Sequence, residues 1–144
     1  MALTAAQELD MRDPGHIRDY PVAAAAVIYK GAIVMWHATT GDIIPGADSS
    51  GGYFAGIAIE SVTGGATSGA KRVKVWTTGC FKLTGSSLAL ADVGHMVYIA
   101  DDATVTDDTG STNVQGVGIM VEWLSATSAW VEINQPKAPA TASS

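Results

Sequence analysis

Cysteine, histidine and basic side chains are scarce in this sequence. A single cysteine, Cys80, cannot form a disulfide within the chain, and we interpret it as a small buried side chain. Eight Lys and Arg residues against fourteen Asp and Glu residues give a formal net charge of -6, which argues against binding along a nucleic-acid backbone. No segment approaches the roughly 18 apolar residues of a membrane span, and the N-terminal residues lack the basic start of a signal peptide. We therefore expect a protein of aqueous, cytosol-like surroundings that binds neither nucleic acid nor membrane.

Residues suited to catalysis or metal binding are equally few. The three histidines, His16, His37 and His95, are far apart in the sequence and show no metal-ligand spacing. No G-x-S-x-G elbow marks a nucleophilic serine, although residue order alone leaves a Ser-His-Asp arrangement open. We predict that the protein is not an enzyme and has no catalytic residues, no cofactor and no metal.

Two segments imitate ligand-binding motifs. Residues 64–71 (GGATSGAK) almost spell a phosphate-binding loop, but an alanine separates the last glycine from the lysine and a strand is predicted next instead of a helix. The acidic pairs at 101–102 and 107–108 could offer oxygen ligands to calcium, yet their spacing matches no known loop motif. We interpret the glycine-rich segment as a flexible hairpin loop and the acidic pairs as solvated turn residues at hairpin tips.

Short apolar stretches separated by Gly, Asp and Ser are abundant. Apolar residues make up 47% of the chain, and Val, Ala, Gly and Thr are frequent, which favours short strands over long helices. One brief helical turn is predicted at 88–93. Strands are predicted at 25–29, 32–37, 54–60, 71–78, 80–83, 96–100, 116–124 and 129–133. The predicted fold class is all-β.

A weak internal repeat relates the two halves of the chain with a period of about 60 residues. Its matched segments are 31–35 (GAIVM) with 94–98 (GHMVY), 56–59 (GIAI) with 116–119 (GVGI), and 73–75 (VKV) with 131–133 (VEI). Each half would supply a hairpin and two more strands, and neither would close its own sheet edge. The prediction is one small β-barrel or sandwich built from two weakly repeated halves.

The chain ends differ in composition from this body. Residues 1–21 mix charges with prolines and a glycine, and they predict an extended N-terminal arm that orders on another surface. Residues 136–144 are small and polar and predict a flexible C-terminal tail. A single β-barrel-like domain is predicted over 22–135.

Alternation along the strands predicts which side chains face the core. Val75 and Val131 lie on inward faces, which places Trp76 and Trp130 on outward faces, unless the arm of the same chain covers them. In the strand 116–123 the inward set is predicted to be Val117, Ile119, Val121 and Trp123.

Outward-facing tryptophans suggest an interface. A buried indole removes on the order of 200 Å² from water, enough to anchor a contact with another protein. The predicted capsid or subunit interface combines arm residues with the two tryptophans: His16, Ile17, Arg18, Tyr20, Trp76 and Trp130.

Glycines and aliphatic residues recur in a set order along the body. The segments are 27–34 (VIYKGAIV), 54–60 (FAGIAIE) followed by a Gly-rich loop, 73–83 (VKVWTTGCFKL), 91–98 (ADVGHMVY) followed by the acidic pair at 101–102, and 116–121 (GVGIMV) leading to 130–133 (WVEI). In this order and spacing, over roughly three quarters of the chain, the sequence resembles the phage head decoration, or capsid cement, proteins.

This resemblance implies a β-barrel-like subunit, commonly trimeric, that binds the outside of an assembled phage capsid and stabilises it against internal DNA pressure. The partners would be the major capsid protein and further copies of the chain. The protein would be made in the host cytoplasm and lie on the outer surface of the virion. Two alternatives stay open: another phage component, such as a tail or baseplate accessory domain, and a small barrel that binds a carbohydrate or other ligand.

Overall fold

The computed structural model describes residues 17–47, 51–107 and 115–133. In these ranges the chain forms twelve strands and one short 3-10 turn, Leu90–Asp92, at the predicted helical turn. The strands are β1 (Ile17–Pro21), β2 (Val27–Ile28), β3 (Ile33–His37), β4 (Ile43–Pro45), β5 (Gly52–Ala58), β6 (Val62–Thr63), β7 (Arg72–Trp76), β8 (Gly79–Ser86), β9 (Met96–Ile99), β10 (Thr104–Thr106), β11 (Gly116–Ser125) and β12 (Ser128–Ile133). The predicted all-β fold is confirmed.

The first half forms a five-stranded sheet in the order β1-β7-β5-β3-β4, with antiparallel neighbours throughout. Its two outer strands approach each other, because Val22, directly after β1, makes a parallel bridge with Ile43 of β4. The N–H of Ala23 donates to the Ile43 carbonyl oxygen at 3.0 Å. This single bridge draws the two edges of the first sheet together without a continuous strand pair, and we refer to this curled, incompletely closed sheet as the first barrel. β2 and β6 pair separately as a two-stranded ribbon.

The second half closes a complete barrel in the order β10-β8-β12-β11-β9. β8 and β10 run parallel, and the other pairs are antiparallel. Full closure leaves no unpaired sheet edge in this half, which removes a site for unwanted strand addition.

The sequence repeat is also a repeat of topology. The matched segments lie in β3 and β9, in β5 and β11, and in β7 and β12, and each set has the same neighbours in its own sheet. In each half a parallel contact joins the outermost strands: the β8–β10 pair in the second half and the single Val22–Ile43 bridge in the first. We expected neither half to close its own edge; the second half does close, whereas the first stays an open sheet whose edges meet at that bridge. Register shifts in β5 and β11 explain why both sheets curl, because bulges increase twist and let few strands close a ring.

A shared hydrophobic core joins the two barrels. Met35 and Phe54 of the first barrel belong to the same buried cluster as Val97, Met120 and Val131 of the second. Each such side chain contributes about 1.5–3 kcal/mol of burial free energy. A second cluster fills the first barrel alone.

Backbone contacts fix the two barrels against each other. The N–H of Ile33 at the start of β3 donates to the carbonyl oxygen of Asp102 at 2.8 Å, and Ala47 forms an antiparallel bridge with Asp101. The turn between β9 and β10 is therefore pinned onto the first barrel.

Several expectations from the sequence need correction. Residues 17–21, placed in the arm, form β1 and pair with β7 along their whole length, while residues 1–16 and 134–144 lie outside the described ranges. Cys80 is exposed, not buried, because the alternation of β8 turns Phe81 and Leu83 towards the core. In β11 the exposed residues include Ile119 and Val121, which were expected inside.

Gly56 in β5 should be indispensable for the first barrel. Its φ is +154°, and a Cβ atom there would collide with the carbonyl oxygen of Trp76. We expect Gly56→Ala to lower the free energy of unfolding by about 3 kcal/mol, measured by urea denaturation. Gly94→Ala is the matched control, since its φ of +89° is also unfavourable but its surroundings are open, and it should cost about 1 kcal/mol. Equal losses in the two variants would contradict the close approach of β5 to β7.

Candidate functional site

Trp130 lies on the outer face of the second barrel, as the alternation of β12 predicts. Its neighbours Ala129 and Val131 are fully buried, while Trp130 is partly exposed. In register across three strands, Glu122 of β11 pairs with Trp130, and Trp130 pairs with Lys82 of β8. An indole with one acidic and one basic neighbour therefore faces outward.

Bulges in β11 bring aliphatic side chains to the same outer face. The register shifts between Gly116 and Gly118 and again after Met120. Each shift inverts the alternation, so Met120 is fully buried while Ile119 is 37% and Val121 44% exposed. Glycine inside a strand is a known signal for a bulge, and the G-V-G start of this strand carried that signal.

The 3-10 turn extends this apolar surface. Leu90 is 66% and Val93 39% exposed, and the N–H of Gly94 donates to the Met120 carbonyl oxygen at 2.8 Å. Val93 therefore lies beside the part of β11 that carries Ile119 and Val121. We call these four residues, Leu90, Val93, Ile119 and Val121, the aliphatic strip.

Trp76 has a different environment from Trp130. Its ring packs against the shared core and lies 6.2 Å from the ring of Phe81, centroid to centroid. β1 runs along β7 and pairs Ile17 with Trp76. Trp76 is thus half-buried where the barrels meet, because the second barrel packs on the face that the alternation of β7 left open.

The arm residues predicted at the interface lie on the first barrel. Ile17 is 49% exposed, and Arg18 is partly exposed. Tyr20 packs edge-on against Trp36 with the ring centroids 5.3 Å apart. His16 lies outside the described residues. The predicted interface set is therefore divided between two barrels, with Trp130 on the second.

A buried carboxylate links two loops of the first barrel. Asp42 is 5% exposed and accepts hydrogen bonds from Ser68 Oγ at 2.6 Å and from Thr40 Oγ1 at 2.8 Å. The hydrogen bond from Ser68 lowers the pKa of Asp42, burial opposes that effect, and the bond from Thr40 adds to the lowering. The carboxylate thus holds the loop after β6 against the turn between β3 and β4.

This cluster brings a serine, a histidine and an aspartate together without forming a catalytic triad. Ser68 donates to the carboxylate itself, while His37 Nδ1 accepts the backbone N–H of Thr39 at 3.1 Å. A triad needs the serine hydroxyl on the imidazole and the carboxylate on its other nitrogen. The arrangement therefore has a structural role: the hydrogen bonds of Asp42 with Thr40 and Ser68 connect two loops, and we call this group the Asp42 clasp.

A groove of about 370 Å³ lies where the two barrels meet. Its lining comes from residues 29–32, between β2 and β3, from residues 82–84 of β8 and from the turn at 102–103. Lys30 and Lys82 are among the lining residues, and both are exposed. Their juxtaposition has no local sequence signal, because the two lysines belong to different halves of the chain.

Two kinds of feature were sought among the described residues, metal-ligand clusters and membrane-spanning helices. In ranges 17–47, 51–107 and 115–133, no three His, Cys, Asp or Glu side chains are grouped to hold a metal ion. The carboxylate of Asp101 accepts the N–H of Ala103 at 2.8 Å, which is turn chemistry. Across the same ranges, helices long and apolar enough to span a membrane are absent.

The Asp42 clasp should make stability depend on pH. Its folded pKa is lowered, so its stabilisation is complete above the unfolded value of about 3.9 and is lost as the pH falls through the folded value. We expect Asp42→Asn to lose about 1–3 kcal/mol at pH 7, because an amide cannot accept from both hydroxyls. In urea denaturation the difference from wild type should shrink below about pH 4.

Ser68→Ala should lose part of the same free energy. Thr67→Ala, an exposed neighbour in the same loop, should change stability by less than about 0.5 kcal/mol. A pH profile of Asp42→Asn that runs parallel to that of the wild type would contradict the role of this carboxylate.

The strongest surface features, the aliphatic strip and the groove, both depend on tertiary contacts. Alternation alone placed Ile119 and Val121 inside, and it gave no reason to join Lys30 with Lys82.

In comparisons with known proteins, the sequence matches no family model and no curated protein.

Proposed function

We propose that this chain is a structural protein that binds the outer surface of an assembled phage capsid and stabilises it, with the major capsid protein as its partner. The observation that carries the proposal is the aliphatic strip on the second barrel. Its four side chains are 37–66% exposed in the isolated chain. Covering each on a partner surface contributes about 1 kcal/mol, which gives about 4 kcal/mol before the costs of association.

The strand that carries Ile119 and Val121 is held rigidly, which suits a protein that holds two capsid subunits together. β11 is held on both sides, by β12 and β9, and its inner face is part of the core shared by the two barrels. A side chain on such a strand cannot retreat without disturbing close-packed neighbours. A force that separates two capsid subunits would therefore be resisted by the rigid second barrel and not by flexible loops.

Charge supports a place outside the shell. With a net charge of -6, the chain is repelled by packaged DNA and is poorly suited to line the inside of a capsid. Protein surfaces, in contrast, are bound through apolar contacts that this charge does not oppose. The resemblance to decoration proteins, carried by the barrel segments, points in the same direction.

Self-association into a trimer is part of the proposal. Three linked subunits would turn the second and third capsid contacts into intramolecular steps, so modest single contacts would add up. Light scattering of the purified protein measures this number directly. A tail or baseplate accessory protein would use the same scaffold, and such a protein would ignore capsids and bind tails.

A second function is favoured by one specific feature, the outward Trp130 between Glu122 and Lys82. A partly exposed indole flanked by hydrogen-bonding groups is a suitable platform for a sugar ring. Quenching of tryptophan fluorescence by a panel of glycans, lost in Trp130→Ala, would support this carbohydrate-binding alternative.

The aliphatic strip should determine capsid binding. In Ile119→Ser/Val121→Ser, about 2 kcal/mol of apolar contact is removed, so we expect the affinity for expanded, empty capsids to fall roughly 30-fold. Co-sedimentation at increasing protein concentration measures the bound amount and its saturation. Wild-type protein should saturate at a stoichiometry related to the capsid symmetry.

Val27→Ser is the matched control for this experiment. Val27 is 42% exposed, close to the 44% of Val121, but it lies in β2, in the two-stranded ribbon of the first half. Its affinity should equal that of wild type. Equal binding by all three proteins would exclude the strip as the capsid contact, and wild-type protein that stays in the supernatant would refute the capsid proposal.

A further inference from the structure

The outer face of the second barrel carries rows of polar and aromatic side chains around Trp130. One row crosses from Lys82 of β8 to Trp130 of β12 and on to Glu122 of β11. The neighbouring row pairs Thr84 of β8 with Ser128 of β12. Residues directly opposite each other in adjacent strands share one face of the sheet. The indole is therefore flanked by an ammonium group, a carboxylate and two hydroxyl groups.

The groove between the barrels adjoins this face at β8. Lys82 and Thr84 belong both to the rows around Trp130 and to the groove lining, which adds a second ammonium group, Lys30, from the first half of the chain. Tyr29, 63% exposed, also lines the groove. Its volume of about 370 Å³ falls within the range of roughly 300–1,000 Å³ that is typical of ligand sites. The indole face and the groove therefore share one boundary, Lys82.

Charge is distributed unevenly along this combined surface. The acidic side chains of the outer face, such as Glu122, belong to β11 and β12, whereas the cations Lys30 and Lys82 lie at the groove. Asp102 is the one acidic residue among the groove-lining residues, and within the described ranges neither lysine forms an ion pair. The groove thus has one net positive charge in a chain whose net charge is -6. A matching ligand is anionic at the groove and uncharged beyond Trp130.

A sugar chain that carries carboxylates has this combination of groups. The apolar face of a sugar ring packs on an indole, and its hydroxyl groups form hydrogen bonds with carboxylates and with serine or threonine side chains. A sugar carboxylate pairs with ammonium groups. A neutral sugar would leave both lysines without a partner group, and a nucleic acid would bring many phosphates to an acidic chain.

We propose that this surface binds an acidic polysaccharide, with one sugar ring on Trp130 and the carboxylate of a uronic acid unit at Lys82 and Lys30. The hydroxyl groups of Thr84 and Ser128 contact the sugar hydroxyls. The inference rests on the carbohydrate-binding alternative and names its ligand class. It is independent of the capsid contact, because the substitutions that test it leave the aliphatic strip unchanged.

Calorimetric titration of the full-length protein tests the ligand class. Oligosaccharides of galacturonate, mannuronate and glucuronate are each compared with their carboxyl-reduced, neutral counterparts. At least one acidic oligosaccharide should bind roughly fivefold to tenfold more tightly than its counterpart, since two exposed ion pairs are lost on reduction. Equal binding of both forms would overturn the acidic ligand class and leave the carbohydrate-binding alternative standing. An absence of binding by every sugar would overturn both, and tighter binding of a single-stranded oligonucleotide would overturn the sugar assignment.

Substitutions test the site with matched controls. Lys30→Gln/Lys82→Gln should weaken binding of the acidic form roughly fivefold to tenfold and leave binding of the neutral form unchanged. Trp130→Ala should weaken both forms roughly tenfold, whereas Trp130→Tyr keeps an aromatic surface and should retain most of the affinity. Lys71→Gln/Lys74→Gln removes two exposed lysines of the first half and should bind as wild type. Equal affinities in all variants would overturn the site. Capsid co-sedimentation of the same variants should match wild type, which separates this inference from the capsid proposal.

Discussion

The hydrogen bond from the Ile33 N–H to the Asp102 carbonyl oxygen joins the two barrels at 2.8 Å, and the shared core lies directly behind it. The first barrel has a core cluster of its own, but its residues Met35 and Phe54 are buried in a cluster that they share with residues of the second barrel such as Met120. The bond also sets the position of the turn between β9 and β10. The groove, the half-buried state of Trp76 and the rigidity behind the aliphatic strip all depend on this joint. A change that separated the barrels would expose apolar surface on both, so we expect them to unfold together.

Closing a ring with only five short strands has consequences for the surface. The sheet must twist strongly, and bulges supply that twist at the cost of regular alternation. In β11 the bulge that follows Gly116 turns Ile119 and Val121 outward. The part of the aliphatic strip that lies in β11 is thus produced by the same irregularity that helps to close the second barrel. In β11, barrel closure and the exposure of Ile119 and Val121 therefore have one cause. Replacing these two side chains by polar ones would leave the bulge in place.

Local signals in the sequence were sufficient for the elements and insufficient for their assembly. Turn residues and alternation located the strands, and the repeat of about 60 residues correctly indicated two halves of equal topology. The β8–β10 pair that closes the second barrel and the Val22–Ile43 bridge of the first sheet both join segments distant in sequence and carry no pattern of their own. Face assignment failed where a bulge intervened, in β11, and where a second barrel covered a sheet face, at Trp76. The Asp42 clasp and the lysine groove were missed because each joins residues from separate loops.

The two candidate surfaces differ in chemistry, which lets them act independently. The aliphatic strip belongs to the second barrel and loses water when it is covered, so its strength is nearly independent of salt. The groove is a pair of exposed ammonium groups, and its strength decreases as ionic strength rises. Arg72, by comparison, is already paired with Asp19 across β1 and β7 at 3.1 Å. The cations of this acidic chain are few, and two of them, Lys30 and Lys82, line the same groove. Salt therefore distinguishes the two surfaces experimentally: it weakens contacts made by the groove lysines and spares contacts made by the aliphatic strip.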